Sequence, residues 1–162
     1  MICVIQRVTE ARVIVGGQVV GQIGPGMVVL AAVHRDDTAE DVAWTANKLA
    51  GLRIFRGGGK HFEFDIGQSG GAMLLVSNFT VVGATRKGRR PSLDAAAPPE
   101  VGRRLFDELV KAVQGLGITT ATGQFGADMQ VVLSNDGPVT FIVDSRESRT
   151  GTRDEGQGEG NV

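Results

Sequence analysis

The sequence predicts a mixed α/β domain with a largely antiparallel sheet backed by two helices. Three observations lead there. Short alternating or fully apolar runs are separated by glycine-rich turns, which is the pattern of strands. Two longer stretches repeat apolar residues at helical spacing behind recognisable start signals. Glycine is abundant, at 24 of 162 residues, as many tight turns require.

Residues 2–8 (ICVIQRV) read as the first strand. Residues 11–15 and 18–23 alternate around Gly16-Gly17, and two glycines supply the positive φ of a tight hairpin. Gly24-Pro25-Gly26 turns into residues 27–33, which are apolar on both faces and so predicted to be covered on both. Thr38 opens a helix, with Asp41 three residues on as in a capping box. Val42, Ala46, Leu49 and Ala50 form its inward stripe. Residues 52–55 read as a short strand ended by Gly57-Gly58-Gly59, and residues 72–77 as a buried one. A second helix over 99–115 starts at Pro98-Pro99 and repeats Val101, Leu105, Leu109, Ala112 and Val113. Strands at 118–122, 129–134 and 139–143 complete the domain, and no internal repeat is present.

From Ser145 onward the chain reads SRESRTGTRDEGQGEGNV, with one apolar residue, Val162. Such a segment buries too little surface to offset its ordering entropy. The reading is therefore a domain over 1–144 and a disordered tail over 145–162. Without the tail's three arginines and four acidic residues, the 17 basic and 18 acidic side chains become 14 and 14. A balanced core argues against non-specific coating of nucleic acid, so any such contact must come from a local cluster.

No apolar run approaches the roughly 20 residues of a membrane span, and MICVIQRVTE does not read as a secretory signal. The single cysteine, Cys3, allows no internal disulfide and fits a reducing, cytoplasmic setting. With His34 and His61 far apart, no metal-ligand spacing exists, and no metal or membrane partner is expected.

Three segments hold chemistry-bearing residues. In VSNFTV (76–81) a buried strand gives way to Ser77, Asn78, Phe79 and Thr80, and ligands collect at strand ends. Thr80 is a nucleophile only with a base beside it, and both histidines lie in distant loops. Backbone N–H groups here are the alternative, since they hold an oxyanion without a special side chain. In TRKGRRPS (85–92), Arg86, Lys87, Arg89 and Arg90 surround Gly88. Such a loop grips phosphates or is simply a solvated charge run. In GQFGADMQVVLSNDGPVTFIV (123–143), Asn135-Asp136-Gly137 reads as a hairpin turn, and Gly137-Pro138 is a bond that tolerates the cis form. Phe125, between Gly123 and Gly126, is either a base-stacking face or a core aromatic.

Together, IQRV (5–8), SNFT (77–80), TRKGRRPS (85–92) and FGADMQVVLSNDGPVT (125–140) resemble the D-aminoacyl-tRNA deacylase family, in order and spacing along residues 1–144. The resemblance implies a deacylase-like fold and a cytoplasmic homodimer with active sites at the subunit interface. It implies an esterase without cofactor that frees tRNA from D-amino acids and from mischarged glycine. It assigns Gly137-Pro138 to a cis motif that each subunit inserts into its neighbour's site, where its carbonyls exclude L-side chains. Arg7 would hold that motif. Backbone groups at Ser77, Phe79 and Thr80 would surround the scissile carbonyl, the 2′-OH would help water attack, and Phe125 would stack on the terminal adenine. Beside Phe125, the candidate substrate-binding residues are Asn78 and, from the charge of the loop alone, Arg86, Lys87, Arg89 and Arg90 as phosphate contacts.

Two departures stand out. Asn78 replaces the family's usual glutamine and is one methylene shorter, and GGGKHFEFD (57–65) places His61, Phe62 and Glu63 where the family has another pattern. Asn78 keeps open a catalytically silent relative that binds tRNA ends. A trans Gly137-Pro138 bond would instead mark a cousin that removes L-alanine from the wrong tRNA, whereas Arg7 beside the turn favours cis.

Overall fold

A computed structural model describes residues 1–59 and 61–150 of the chain. Its spine is β1 (Ile2–Val15), a single strand where two were expected. Gly16 and Gly17, both at positive φ, turn it into β2 (Gln18–Ile23), which pairs back on residues 11–15. β3 (Gly26–Ala32) pairs antiparallel with residues 2–8 of β1. Along the other side of β1 runs β6 (Gln130–Asp144), also antiparallel. β4 (Ala72–Ser77) pairs in parallel with β3, and β5 (Thr120–Thr122) in parallel with β4. The sheet order is β2-β1-β3-β4-β5, with β6 beside β1. Parallel neighbours follow from the long crossovers between them. The first carries α1 (Ala39–Gly51) and α2 (Ile66–Ser69), and the second carries α3 (Pro99–Gly115).

Alternation along the strands sends two sets of side chains to opposite faces. On one face Cys3, Ile5, Met27, Val29, Met73 and Leu75 meet the helices, through Val42, Ala46 and Leu49 of α1 and Leu105, Leu109 and Val113 of α3. On the other, Val8, Ala11, Val13, Val28, Leu74 and Val76 form a second core. That core is enclosed because the sheet curls until β2 reaches β5. A Cβ at Gly21 would lie 2.1 Å from the Thr122 carbonyl oxygen, so only glycine allows this approach. At the head of α1, Asp41 accepts from the Thr38 N–H at 2.8 Å and from its hydroxyl at 3.0 Å, as the predicted cap requires.

Several expectations change. Residues 52–55 form no strand: Phe55 makes one bridge to Phe64, and the Ile54 carbonyl is taken by the Arg7 guanidinium. The strand expected over 118–122 is only 120–122, and α2 was not anticipated, although Asp65 and Gln68 cap it reciprocally at 2.8 and 3.1 Å. The segments 129–134 and 139–143 are one strand, β6. The tail expected from residue 145 is ordered at its start. Ser145 is fully buried, donates to Asp41 at 2.8 Å and continues the pairing at the Met1 carbonyl at 2.9 Å. A short helix, α4 (Glu147–Thr150), follows. Residues 151–162 of that expectation lie outside the described residues. No helix among the described residues is long and apolar enough to cross a membrane.

Candidate active site

β3, β4 and β5 are parallel, so their C-terminal ends share one edge of the sheet, where ligands commonly collect. At the end of β4 the Asn78 N–H donates to the Ala31 carbonyl at 2.8 Å. The chain then enters a 3₁₀ turn over Phe79–Val82. The first N–H groups of such a turn, those of Phe79 and Thr80, have no acceptor within it. Ser77 and Asn78 are half-buried, while Phe79 and Thr80 are exposed. The Thr80 hydroxyl donates to Asn78 Oδ1 at 2.5 Å, so the shorter amide is held inside the segment. Neither histidine hydrogen-bonds Ser77 or Thr80. His34 Nδ1 accepts from the Asp36 N–H at 3.2 Å, and His61 is exposed. The segment therefore offers backbone donors rather than a paired nucleophile and base.

The basic loop grows directly from this turn. Ala84 and Ser92 exchange both backbone hydrogen bonds, at 2.8 and 2.9 Å, and Gly88 turns the tip at φ +71°. Arg86, Lys87, Arg89 and Arg90 are exposed, and none makes an ion pair with a described residue. Beside it, the Gly123 N–H donates to the Leu75 carbonyl at 3.0 Å, which carries residues 123–125 past the end of β5 alongside β4. Phe125 lies at the rim of the core. Its half-buried ring packs on the core at Phe106, with centroids 6.1 Å apart, and lies 4.7 Å beneath the Arg103 guanidinium.

Arg7, Gly137 and Pro138 form a second cluster. Residue 8 pairs with Asn135 and residue 6 with Thr140, so residues 136–139 bulge out opposite Arg7 alone. The expected hairpin turn is thus an outpocketing within one strand, which resumes pairing on the far side. The Asn135 side chain closes it by mimicking a backbone unit. Its Oδ1 accepts from the Val139 N–H at 2.7 Å, and its Nδ2 donates to the Val139 carbonyl at 3.2 Å. Gly137 sits at φ +150°, where a Cβ would also meet Val139 Cγ2 at 2.7 Å. The Gly137-Pro138 bond is cis, and both residues are exposed.

Arg7 lies on the helix-covered face and is only 4% exposed. Its Nε donates to the Asp136 carbonyl at 2.9 Å and its Nη1 to the Ile54 carbonyl at 2.6 Å. The Asp136 carboxylate lies 3.3 Å from Arg7 Nε and 3.3 Å from Arg56 Nη2. Sequence reading singled out Arg7 but missed Arg56, the Ile54 carbonyl and the clamp made by Asn135. The available signal was the Asn-Asp pair before Gly137, since short amides and carboxylates bind nearby backbone.

One chain does not unite the two clusters. Arg7 is level with Met27 and Met73, whereas Ser77 is level with Ala31, four residues further along. That is about 13 Å along the strands, and the three strand spacings from β6 to β4 add about 14 Å across them. Cys3, the other buried reactive group, is remote in role as well: burial pushes its thiol up to about 12. Among the described residues no three His, Cys, Asp or Glu side chains gather as a metal site would require.

Comparison with known proteins covers both clusters. The family model described as D-Tyr-tRNA(Tyr) deacylase matches residues 4–144. A D-aminoacyl-tRNA deacylase of Geobacter sulfurreducens is 51% identical over 152 residues, covering 94% of this chain and 100% of that one. The solved structure of a c-Myc DNA unwinding element binding protein superposes with a TM-score of 0.84 at 33% identity, covering 89% of this chain and 98% of the other. A chain described as a probable eukaryotic D-amino acid tRNA deacylase gives a TM-score of 0.76 at 18% identity, covering 88% and 97%, and shows the shared fold. The chain belongs to the D-Tyr-tRNA(Tyr) deacylase family.

Proposed function

We propose that this protein hydrolyses the ester joining a D-amino acid, or glycine, to the 3′-terminal adenosine of tRNA, and that it does so in the cytoplasm as a homodimer. The observation that carries the reading is the family match across residues 4–144, which includes the Phe79–Thr80 turn, the basic loop, Phe125 and the clamped bulge.

The chemistry asks little of side chains. An ester is already activated, so positioning and an oxyanion site suffice. The substrate carbonyl lies against backbone N–H groups at Phe79 and Thr80. Water, assisted by the 2′-OH, adds to the carbonyl carbon. The negative charge on the former carbonyl oxygen is held by those donors. Collapse breaks the ester C–O bond, the 3′-oxygen takes a proton, and the free amino acid leaves. Phe125 stacks on the terminal adenine, and Arg86, Lys87, Arg89 and Arg90 meet phosphates. Asn78 serves by holding Thr80 rather than by reaching the substrate.

Selectivity comes from the second subunit. The bulge stands roughly 20 Å from its own Ser77, by the strand spacings given above, but a two-fold partner presents the same bulge to it. The surface for such a partner is the part of the sheet face away from the helices that lies outside the second core, where Ile142 is 71% exposed and Ile2 and Val4 are only half covered. Carbonyls of the inserted Gly137-Pro138 turn collide with an L-side chain and leave a D-side chain free, and glycine escapes because it has none.

The test is a paired hydrolysis of D-Tyr-tRNA and L-Tyr-tRNA by the purified protein. Loss of the D-form with the L-form intact supports the reading. Binding without loss of either form means the silent relative, and loss of both removes the chiral gate.

A further inference from the structure

A groove runs along α3 beside the end of β5, lined by Arg103, Phe106, Asp107, Lys111, Thr122 and Phe125. Neither the backbone donors nor the basic loop accounts for it. Two adjacent arginines on α3 behave differently. Arg104 is neutralised by Glu108, one helical turn on, at 2.9 Å. Arg103 makes no ion pair with a described residue, although Asp107 occupies the same relative position. Instead its guanidinium lies 4.7 Å over the Phe125 ring, and its Nη2 reaches the Phe125 carbonyl at 3.4 Å. Gly102, next to it, faces the same ring, and a Cβ there would stand 3.5 Å from Phe125 Cζ, in ordinary van der Waals contact. The result is an exposed, un-neutralised cation fixed above the aromatic ring proposed to receive adenine.

We propose that Arg103 is a substrate-positioning residue that binds the 5′-phosphate of the terminal adenosine as its base reaches Phe125. This rests on the deacylase reading and extends its site onto α3. Base and 5′-phosphate are joined through one ribose, so a nucleotide stacked at Phe125 carries its phosphate close to the guanidinium. Arginine suits both positions of this hand-over, because its planar group stacks on a ring and binds phosphate oxygens in pairs. Lys111 lies two turns further along the same groove, with Asp107 between the two cations.

The experiment compares the full-length wild type with Arg103→Ala and Arg103→Lys on two substrates. One is D-aminoacyl-tRNA, and the other is the D-aminoacyl ester of adenosine, which has no phosphate. Arg103→Ala is expected to lose about tenfold more on the tRNA than on the adenosine ester, as a rise in KM rather than a fall in kcat. Binding of a single-stranded RNA ending in CCA should show the slope of log K against log salt reduced by about 0.7, the value of one phosphate. Arg103→Lys, which keeps a point charge, should restore that slope. Equal losses on the two substrates would overturn the proposal, because Arg103 would then act only by packing on Phe125. An unchanged KM and salt slope would overturn it as well. If the wild type cleaves neither ester, the deacylase reading fails, and the salt slope on RNA still decides the role of Arg103.

Discussion

Replacing Arg7 by alanine removes the element that ties the bulge to the body of the domain. The side chain is buried and donates to two carbonyls, Asp136 at 2.9 Å and Ile54 at 2.6 Å. A hydrogen bond from a charged donor contributes about 1.5–3 kcal/mol, and a buried carbonyl left bare costs about 1–3 kcal/mol. Asp136 keeps Arg56 and is partly exposed, so part of the loss is recovered there. The net cost is about 3–4 kcal/mol, in the range for breaking a buried pair. For a chain of this size it lowers the melting temperature by roughly 6–15 °C. Urea unfolding at one fixed protein concentration measures the first effect, since association shifts apparent stability. Paired D- and L-Tyr-tRNA hydrolysis measures the second, where a loosened bulge lets the L-ester be cleaved. Arg7→Lys retains the charge but not the fork, and should fall between the two. Stability within about 0.5 kcal/mol of wild type, together with intact L-rejection, would refute the reasoning.

Further outcomes follow from the same contacts. Gly21→Ala drives a Cβ into the Thr122 carbonyl, 2.1 Å away, and should lower stability by about 2 kcal/mol as β2 parts from β5, read as a lower thermal midpoint. Hydrogen bonding to Arg146 holds the Asp144 carboxyl below its ordinary value. A depressed carboxylate stabilises above its unfolded pKa and loses that contribution as pH falls through the folded one. Arg146 is largely exposed, so the contribution is under about 1 kcal/mol. The difference in urea midpoint between wild type and Asp144→Asn should therefore shrink below about pH 4. Cys3, fully buried with its thiol pushed up to about 12, should resist thiol reagents at pH 8 in the native protein and react at once in denaturant.

Much of the fold was legible because period and punctuation agreed. The Gly16-Gly17 hairpin, the doubly buried β3, the Thr38–Asp41 cap and the Leu105–Leu109–Val113 stripe are local patterns with local causes. What failed was non-local. The parallel pairing of β3, β4 and β5 depends on where crossovers return, which spacing does not encode. Asn135-Asp136-Gly137-Pro138 has the composition of a hairpin turn. It is a bulge only because β1 is long enough to pair on both sides of it, and because Asn135 reaches across to Val139. Residues 52–55 have strand composition, but the Ile54 carbonyl goes to Arg7 rather than to a neighbouring strand. Ser145 looked like the start of a polar tail because its partners, Asp41 and the Met1 carbonyl, lie far away in sequence. At the candidate site, Ser77–Thr80, the basic loop and Phe125 were visible as motifs, whereas Arg103 was one of several helix-surface charges until its place over Phe125 distinguished it.

The central claim is that the bulge of one subunit completes the site of the other. Ile142→Asp tests it most directly, because Ile142 is 71% exposed in the single chain and its replacement leaves the chain's own core intact. Sedimentation and D-Tyr-tRNA hydrolysis would be measured on the same sample. The account predicts a folded monomer that has lost chirally selective hydrolysis. A folded monomer that still cleaves the D-ester at the wild-type rate and spares the L-ester would contradict it.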